Sequence, residues 1–412
     1  MRIAVLGAGV SGLSIAQLLN NEFEIDVLEK KEIHGGIART KSVDGFAYHT
    51  VGGHCFNTKY DDVRDFIFNK ILPLEEWNKI KRNSRIRFYD YEIDYPIEFS
   101  IRQIYQHDPE LAQKLTFDFI NAVDDGHYPN LEEWFRKKFG NAFAEEYFIP
   151  YNTKIWNNEP NKMSHLWVED KLPIPNKKMF FDGLMANMDD NMPHFEFYYP
   201  KSNNQNTFID ALAHNLNILY NFDVQSIDYD SDSKKWAINN DQEYDLIINT
   251  TPLNDFTQAL TQAPDYIKNS AQLLKGNGIS NVLWKTKPTN KTWTYIPNND
   301  YLFHRYIHIG SFNIPNQNYA TSEVIGKHTF DEMVNAGKKD SSLLTPIDYN
   351  NSDLAYVVFD DNYKKATTDI KNYIDSIGLY TLGRFGEWQY YNMDVCIKKA
   401  IDLADKIQNK MM

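Results

Sequence analysis

The sequence predicts an α/β fold in which a Rossmann-like domain carries a mainly helical insert and faces a β-rich sheet. Three observations predict it. The chain opens on the apolar run Arg2-Ile3-Ala4-Val5-Leu6, followed by Gly7-Ala8-Gly9-Val10-Ser11-Gly12, a helical pattern through Ile15, Ala16, Leu18 and Leu19, and a second apolar run from Phe23 to Leu28 that ends on Glu29. Strand, glycine turn, helix, strand and acid stand in the order that a dinucleotide-binding unit requires. Further on, Tyr244 to Thr250 is nearly all apolar, the pattern of a strand covered on both faces of a parallel sheet. The third observation is a set of short strand-like runs after residue 278: Ile279 to Trp284, Thr292 to Pro297 and Phe303 to Ile309.

Each residue of the opening unit has a physical role. Gly7 permits the tight turn, Gly9 lets a pyrophosphate approach the backbone, and Gly12 lets helix and sheet pack closely. Val10 and Ser11 head the helix, whose free N–H groups and positive dipole end favour phosphate. Glu29, with Lys30 beside it, accepts hydrogen bonds from a ribose diol. A secretory leader is not expected, because three glycines and a serine break the apolar run and no small-residue cleavage site follows.

Whole-chain properties narrow the function further. At 412 residues, two or three domains are expected. A net charge of −13 argues against a nucleic-acid partner, which needs a basic face. No run of 18 apolar residues exists, so no membrane span is expected. Cys55 and Cys396 form neither a disulfide framework nor a metal-ligand spacing, so the expectation is a cytoplasmic protein with no metal site. The 26 tyrosines, 25 phenylalanines and 8 tryptophans supply a large core, and tyrosines also line sugar and nucleotide pockets.

The cofactor is narrowed by Gly35-Gly36-Ile37-Ala38-Arg39-Thr40. This pattern after the fingerprint resembles flavoproteins of the amine-oxidase and glutathione-reductase type, and it implies FAD. Gly36, Ile37 and Ala38 pass close to the cofactor, and Arg39 meets pyrophosphate or the flavin edge. In Tyr48-His49-Thr50-Val51-Gly52-Gly53-His54, the glycine pair marks close backbone approach, as for a flavin ring lying against Gly53 and His54.

Along the rest of the chain, residues 60–170 read as mainly helical, with helices over Asp61 to Ile71, Leu111 to Val123 and Leu131 to Phe139 and a strand-like insert from Ile86 to Ile93. A helix is expected over Phe208 to Leu219, a strand over Phe222 to Ile227 and a final helix over Met393 to Ile407, while 316–352 is too polar to assign. The expected division is 1–60, 200–256 and 376–412 as a discontinuous FAD-binding domain, 61–172 as the helical insert, and 173–199 with 257–375 as a β-rich substrate domain.

The C-terminal stretch Gly383-Arg384-Phe385-Gly386-Glu387-Trp388-Gln389-Tyr390-Tyr391-Asn392-Met393-Asp394 resembles the C-terminal flavin motif of the UDP-galactopyranose mutases. Tyr151-Asn152-Thr153-Lys154-Ile155-Trp156, Thr250-Thr251-Pro252-Leu253-Asn254-Asp255-Phe256 and Tyr301-Leu302-Phe303-His304-Arg305 resemble further motifs of that family in the same order. The resemblance implies an FAD-dependent isomerase of polysaccharide biosynthesis. Such an enzyme interconverts the pyranose and furanose forms of a nucleotide sugar through attack of reduced flavin N5 on the anomeric carbon. It implies that Arg305 and Tyr390 hold the diphosphate, that Tyr147, Tyr151 and Trp156 pack on nucleotide or sugar, and that Gly53 and His54 lie at the catalytic face of the flavin. It also implies cofactor contacts from Val224 through its backbone, and from Thr251, Gly383, Arg384, Tyr391, Asn392 and Met393. The assembly, a homodimer or not, stays open.

Two departures from the family pattern fall where substrate would bind. Pro175 stands where the family has a second diphosphate arginine, with Lys177 or Lys178 as the nearby cations, and Asn392 replaces an aspartate. These departures point to a nucleotide sugar other than UDP-galactose. The rival reading is an FAD oxidoreductase of the amine-oxidase or porphyrinogen-oxidase type. A third is a non-catalytic flavin- or nucleotide-binding protein.

Overall fold

The computed structural model describes residues 1–168, 172, 174–185 and 195–411. Pro173 and part of the expected 173–199 segment therefore lie outside the described residues. Two sheets organise the chain. The first is a five-stranded parallel sheet in the order Tyr380–Thr381, Leu246–Asn249, Arg2–Leu6, Glu24–Leu28, Asn217–Leu219. The N-terminal strand is central, with Ile3 beside Leu246 on one side and Ile25 on the other. Ile3, Ala4 and Val5 are fully buried, which is why the opening run is apolar without alternation. Helix Val10–Leu19 covers one face and packs on the last helix, Met393–Met411, through Leu13, Ala16, Ile397, Ala400 and Ala404.

Asp26 is a carboxylate buried in that sheet. It accepts from Arg2 Nη2 at 2.6 Å, Asn217 Nδ2 at 2.6 Å and the Tyr244 hydroxyl at 3.1 Å, so its charge is paired and its lone pairs are used. Arg2, Asp26, Asn217 and Tyr244 thereby tie together segments that are distant in the chain.

The second sheet has seven strands in the order Leu343–Val357, Gly276–Thr286, Tyr319–Ile325, Arg305–Ile307, Trp293–Tyr295, Ser84–Phe88, Tyr91–Asp94. All neighbours are antiparallel except Trp293–Tyr295 with Ser84–Phe88. The hairpin at 84–94, sequentially inside the helical region, is thus hydrogen-bonded into this sheet. Helices Asp61–Phe66, Ile101–His107, Pro109–Asn121, Leu131–Phe139 and Ile149–Trp156 also lie in that region, as does strand Trp77–Lys81, which pairs with Glu196–Pro200. Two of them start on side-chain caps, Asp108 accepting from Leu111 N and Asn130 from Glu133 N, each at 2.9 Å.

Three expected elements differ. The helix expected over Phe208 to Leu219 is Asn206–Ala213. Its apolar stripe Phe208, Ile209 and Leu212 is exhausted there, Asn215 turns at φ 59°, and the chain leaves as the edge strand Asn217–Leu219. The strand expected over Phe222 to Ile227 begins only at its end, as Ile227–Asp230, and 222–226 runs as a loop along the cavity described below. The polar stretch 316–352 holds the buried strand Tyr319–Ile325, helix Phe330–Gly337 and much of the long strand Leu343–Val357. Most residues of that long strand are half-buried or exposed, so its composition carries little apolar signal. Among the described residues, no helix is long and apolar enough to cross a membrane.

Candidate functional site

A cavity of about 740 Å³ lies between the carboxyl ends of the parallel strands and one face of the seven-stranded sheet. Carboxyl ends of parallel strands are where open α/β sheets bind ligands.

The wall formed by the parallel sheet is built mostly from backbone. Gly7 turns at φ 92° and its N–H donates to Leu28 O at 2.8 Å. A Cβ on Gly12 would stand 1.9 Å from Gly7 O, so only glycine lets the helix press on the turn. Gly9 is open on its Cα side, with nothing within 4 Å of where a Cβ would be, and it lines the cavity. Val10 and Ser11 follow at a helix start with no side-chain cap, leaving N–H groups for a ligand. Glu29 stands at the strand tip, its carboxylate oriented by Ala8 N at 2.8 Å and Lys31 N at 2.9 Å. Lys30, Gly36, Ile37, Ala38, Val224, Thr251, Arg384, Tyr391, Asn392 and Met393 line the same cavity. This open glycine, uncapped helix and oriented acid fit a dinucleotide.

Three expected cofactor residues stand behind this wall. Gly12 acts through packing, as above. Gly383 turns at φ 90° and sits against Ser11, where a Cβ would fall 2.1 Å from Ser11 Oγ. Arg39 is turned away from the cavity, its Nη1 donating to Asp210 Oδ1 at 2.8 Å, an oxygen it shares with His34. The carboxylate claims the guanidinium and ties it to helix Asn206–Ala213.

The opposite wall is a row of side chains. Asn350, Asn281, Glu323, Arg305, Tyr295 and Ile86 are successive cross-strand neighbours, so they share one face of the sheet. The row grips the turn at 49–54. The amides of Asn281 and Asn350 donate to Thr50 O at 2.7 and 3.0 Å, and Gly52 N donates to Glu323 Oε1 at 2.6 Å. The other oxygen of fully buried Glu323 accepts from Arg305 Nε, and Arg305 Nη2 donates to the Tyr356 hydroxyl at 2.6 Å. Burial alone would lower the Arg305 pKa, but Glu323 outweighs it and holds the guanidinium charged.

Held this way, Gly52 lies between Arg305 and His54. A Cβ there would be 3.5 Å from Arg305 Nη2 and 3.7 Å from His54 Nε2. Gly53 packs on Trp293 and Ile307, where a Cβ would fall 3.2 Å from Trp293 Nε1 and 2.9 Å from Ile307. His54 lines the cavity with a buried, unpartnered Nε2, and its pKa is pushed down to about 3 by burial and then by the charge of Arg384. A neutral imidazole is what this site holds at neutral pH. His49, edge-on at 5.4 Å, is likewise kept neutral by burial and by His54.

Aromatic rings close the remaining side. Tyr390 lines the cavity, beneath the Arg384 guanidinium at 4.5 Å, and stacks on Tyr356 at 6.0 Å. Trp156 meets Tyr390 edge-on at 5.5 Å from behind, and Tyr147 stacks on Tyr151 at 5.6 Å, whose ring meets Tyr295. Trp156, Tyr147 and Tyr151 therefore stand behind the lining and support it rather than forming it. Lys177 is not brought to the site: it is exposed, and its Nζ donates to Ile120 O at 2.7 Å. Lys178 pairs with Asp182. Sequence reasoning passed over Glu323, Tyr295, Tyr356 and Arg82. Glu323 had the signal that singled out Arg305, a charge inside an apolar strand. The described residues hold no cluster of acids, histidines or cysteines suited to a metal.

Fold and cavity together define a dinucleotide-binding α/β protein whose second sheet closes the site. A model of the NAD(P)-binding Rossmann-like domain matches residues 5–69. The chain is similar in sequence to the dTDP-fucopyranose mutase of Escherichia coli, at 25% identity over 169 residues, covering 39% of this chain and 43% of that protein. It is also similar to the UDP-galactopyranose mutase of Mycoplasma genitalium, at 24% identity over 226 residues and 52% of each chain. It thus spans about half the length of the curated relatives it matches. In structure it resembles a reduced UDP-galactopyranose mutase with a TM-score of 0.84, at 20% identity over 99% of this chain and 94% of the other. A candidate protoporphyrinogen oxidase from Exiguobacterium has a TM-score of 0.77, at 16% identity over 99% of each chain. The chain has the UDP-galactopyranose mutase fold and resembles sugar-nucleotide mutases in sequence.

Proposed function

We propose that this chain is a flavin-dependent nucleotide-sugar mutase that interconverts pyranose and furanose forms, with FAD in its reduced state as cofactor. The observation that carries this reading is the convergence of Arg305, Tyr390 and neutral His54 on the cavity that the dinucleotide wall opens into. The chain's similarity to two nucleotide-sugar mutases supports it.

The glycine turn, the start of helix Val10–Leu19 and Glu29 would hold the adenosine diphosphate half of the cofactor. Gly53, His54 and the 391–393 segment would hold the flavin half. When bound, reduced flavin supplies the nucleophile for the anomeric carbon and a route for the nucleoside diphosphate to depart. Arg305 and Tyr390 bind that diphosphate, the arginine through the N–H groups that Glu323 and Tyr356 leave free. His54 Nε2 accepts a hydrogen bond from the cofactor edge or a sugar hydroxyl, and its low pKa keeps it an acceptor rather than a cation. The tyrosine wall and Trp156 exclude water, which would otherwise hydrolyse an activated sugar. Asn392, in place of an acid at the start of the last helix, puts a neutral amide on that part of the lining. The cytoplasm is the proposed location, consistent with two free cysteines.

The test is anaerobic turnover of UDP-, dTDP- and GDP-sugars by the chemically reduced protein, with furanose product separated by chromatography. Isomerisation that stops when the flavin is oxidised supports the reading. Absence of isomerisation, with a bound flavin that is reduced by an amine or porphyrinogen, replaces it with an oxidase.

A further inference from the structure

Arg82 is a half-buried cation of this cavity that the mutase reading leaves without a task. It sits at the turn between strands Trp77–Lys81 and Ser84–Phe88, its backbone N–H fixed to Phe195 O at 2.7 Å. Its side chain is half-buried and lines the cavity. The guanidinium lies over the Trp293 ring at 4.6 Å, Nε donates to Ser84 Oγ at 2.8 Å and Nη2 to the Tyr295 hydroxyl at 2.7 Å. Two of its five N–H groups are used and three remain.

Its charge differs from that of Arg305. Arg305 is locked to the buried Glu323 carboxylate. Among the described residues no carboxylate pairs with Arg82, and Glu196, which lines the same cavity, is taken by Lys79. A guanidinium withdrawn from water and oriented by an aromatic face and two hydroxyls, with its fork open to a cavity, is built to meet an anion.

Its position says which part of a ligand it meets. Trp293, beneath the guanidinium, packs on Gly53. Tyr295, which Arg82 bonds, is the direct cross-strand neighbour of Arg305. Arg82 therefore holds the hydroxyl end of Tyr295 beside Trp293, while Arg305 stands next to Tyr295 on the neighbouring strand and against Gly52, so the two guanidinium groups line one cavity at separate points.

We propose that Arg82 is a specificity residue that binds a pair of anionic oxygens on the substrate. This rests on the nucleotide-sugar reading. With the diphosphate at Arg305 and Tyr390, the group that reaches Arg82 is a carboxylate on the sugar, as in a nucleotide hexuronate. The same fork would otherwise take the diphosphate itself, in place of the arginine that Pro175 does not supply.

Titration calorimetry on the flavin-loaded wild type, R82Q and R82K separates these sources. The probes are UDP, a UDP-hexose, a UDP-hexuronate, inorganic pyrophosphate and free hexuronate, with near-UV circular dichroism as the check on folding. R82Q is expected to weaken binding of the UDP-hexuronate about tenfold or more while leaving UDP and the UDP-hexose unchanged, with R82K recovering part of the loss. Equal weakening of UDP, the UDP-hexose and pyrophosphate assigns Arg82 to the diphosphate. If R82Q and R82K bind every probe as the wild type does, the proposal is overturned. If no nucleotide sugar binds the wild type, the mutase reading falls, and Arg82 is then judged on whether R82Q still weakens pyrophosphate or hexuronate.

Discussion

The two walls of the cavity solve the same problem by different means. The parallel-sheet wall meets its ligand with backbone: a glycine turn, an uncapped helix start and one acid held by two main-chain N–H groups. The antiparallel wall meets it with side chains whose charges and amides are already committed to one another, from Asn350 across to Tyr295. A backbone wall tolerates many side chains but no added atoms. A side-chain wall tolerates small additions but not the loss of one member of a charge pair.

The comparison breaks first at Glu323. Glu323→Ala leaves Arg305 buried without its counter-charge and Gly52 N without an acceptor, so a loss of about 3–5 kcal/mol is expected. Guanidinium unfolding of the flavin-free protein measures it, and a change below 1 kcal/mol would show that the row is not a charge-locked unit. On the other wall, Gly12→Ala adds one methyl group 1.9 Å from Gly7 O. The expected cost is about 1–3 kcal/mol for overpacking, with flavin lost during purification. Retained flavin with an unchanged unfolding midpoint would remove the case for close packing there.

The contrast also explains what the sequence disclosed. Gly7, Gly9, Gly12 and Glu29 act within one short stretch of chain, so spacing alone exposed them. The row from Asn350 to Ile86 is assembled from six strands spread over most of the chain, and no local pattern links Glu323 to Gly52. Arg305 stood out only as a charge in an apolar strand and by family likeness. Arg82 bears no such mark, since a lysine and arginine at a strand end read as an ordinary solvated turn. The edge strand Asn217–Leu219 was hidden because the amphipathic stripe before it gives no sign of where it stops short of Asn215.

Acid sharpens the comparison, because the antiparallel side holds more buried neutral histidines. Burial keeps His49, His54, His304 and His308 below their ordinary pKa, His54 and His308 down to about 3. The unfolded chain takes up protons near pH 6.5 while the fold does not, so stability is full above that value and falls as pH drops toward 3. Unfolding midpoints at pH 7 and pH 5 are expected to show the decline. His308→Gln, which keeps a partner for Thr294, is expected to make it shallower. A more modest effect tests the first wall: Glu29→Gln weakens an acceptor for the ribose diol, and flavin affinity by fluorescence titration is expected to fall about tenfold. The smallest effect lies outside both walls. Thr329 caps helix Phe330–Gly337 in a reciprocal box with Glu332, and Thr329→Ala is expected to cost about 1 kcal/mol with flavin affinity unaltered.

The pairing of helix Val10–Leu19 with Met393–Met411 has a consequence for how the protein is made. The helix that presents phosphate-binding N–H groups emerges from the ribosome well before the helix that covers its apolar face. At about 5–20 residues per second, roughly tens of seconds separate the two. Through that interval the nascent chain carries the fingerprint without a finished cradle, and the strand Tyr380–Thr381 has not yet joined the sheet edge. A cofactor is therefore expected to load only once the later helix has docked, and a chain cut short before that helix would expose Leu13 and Ala16.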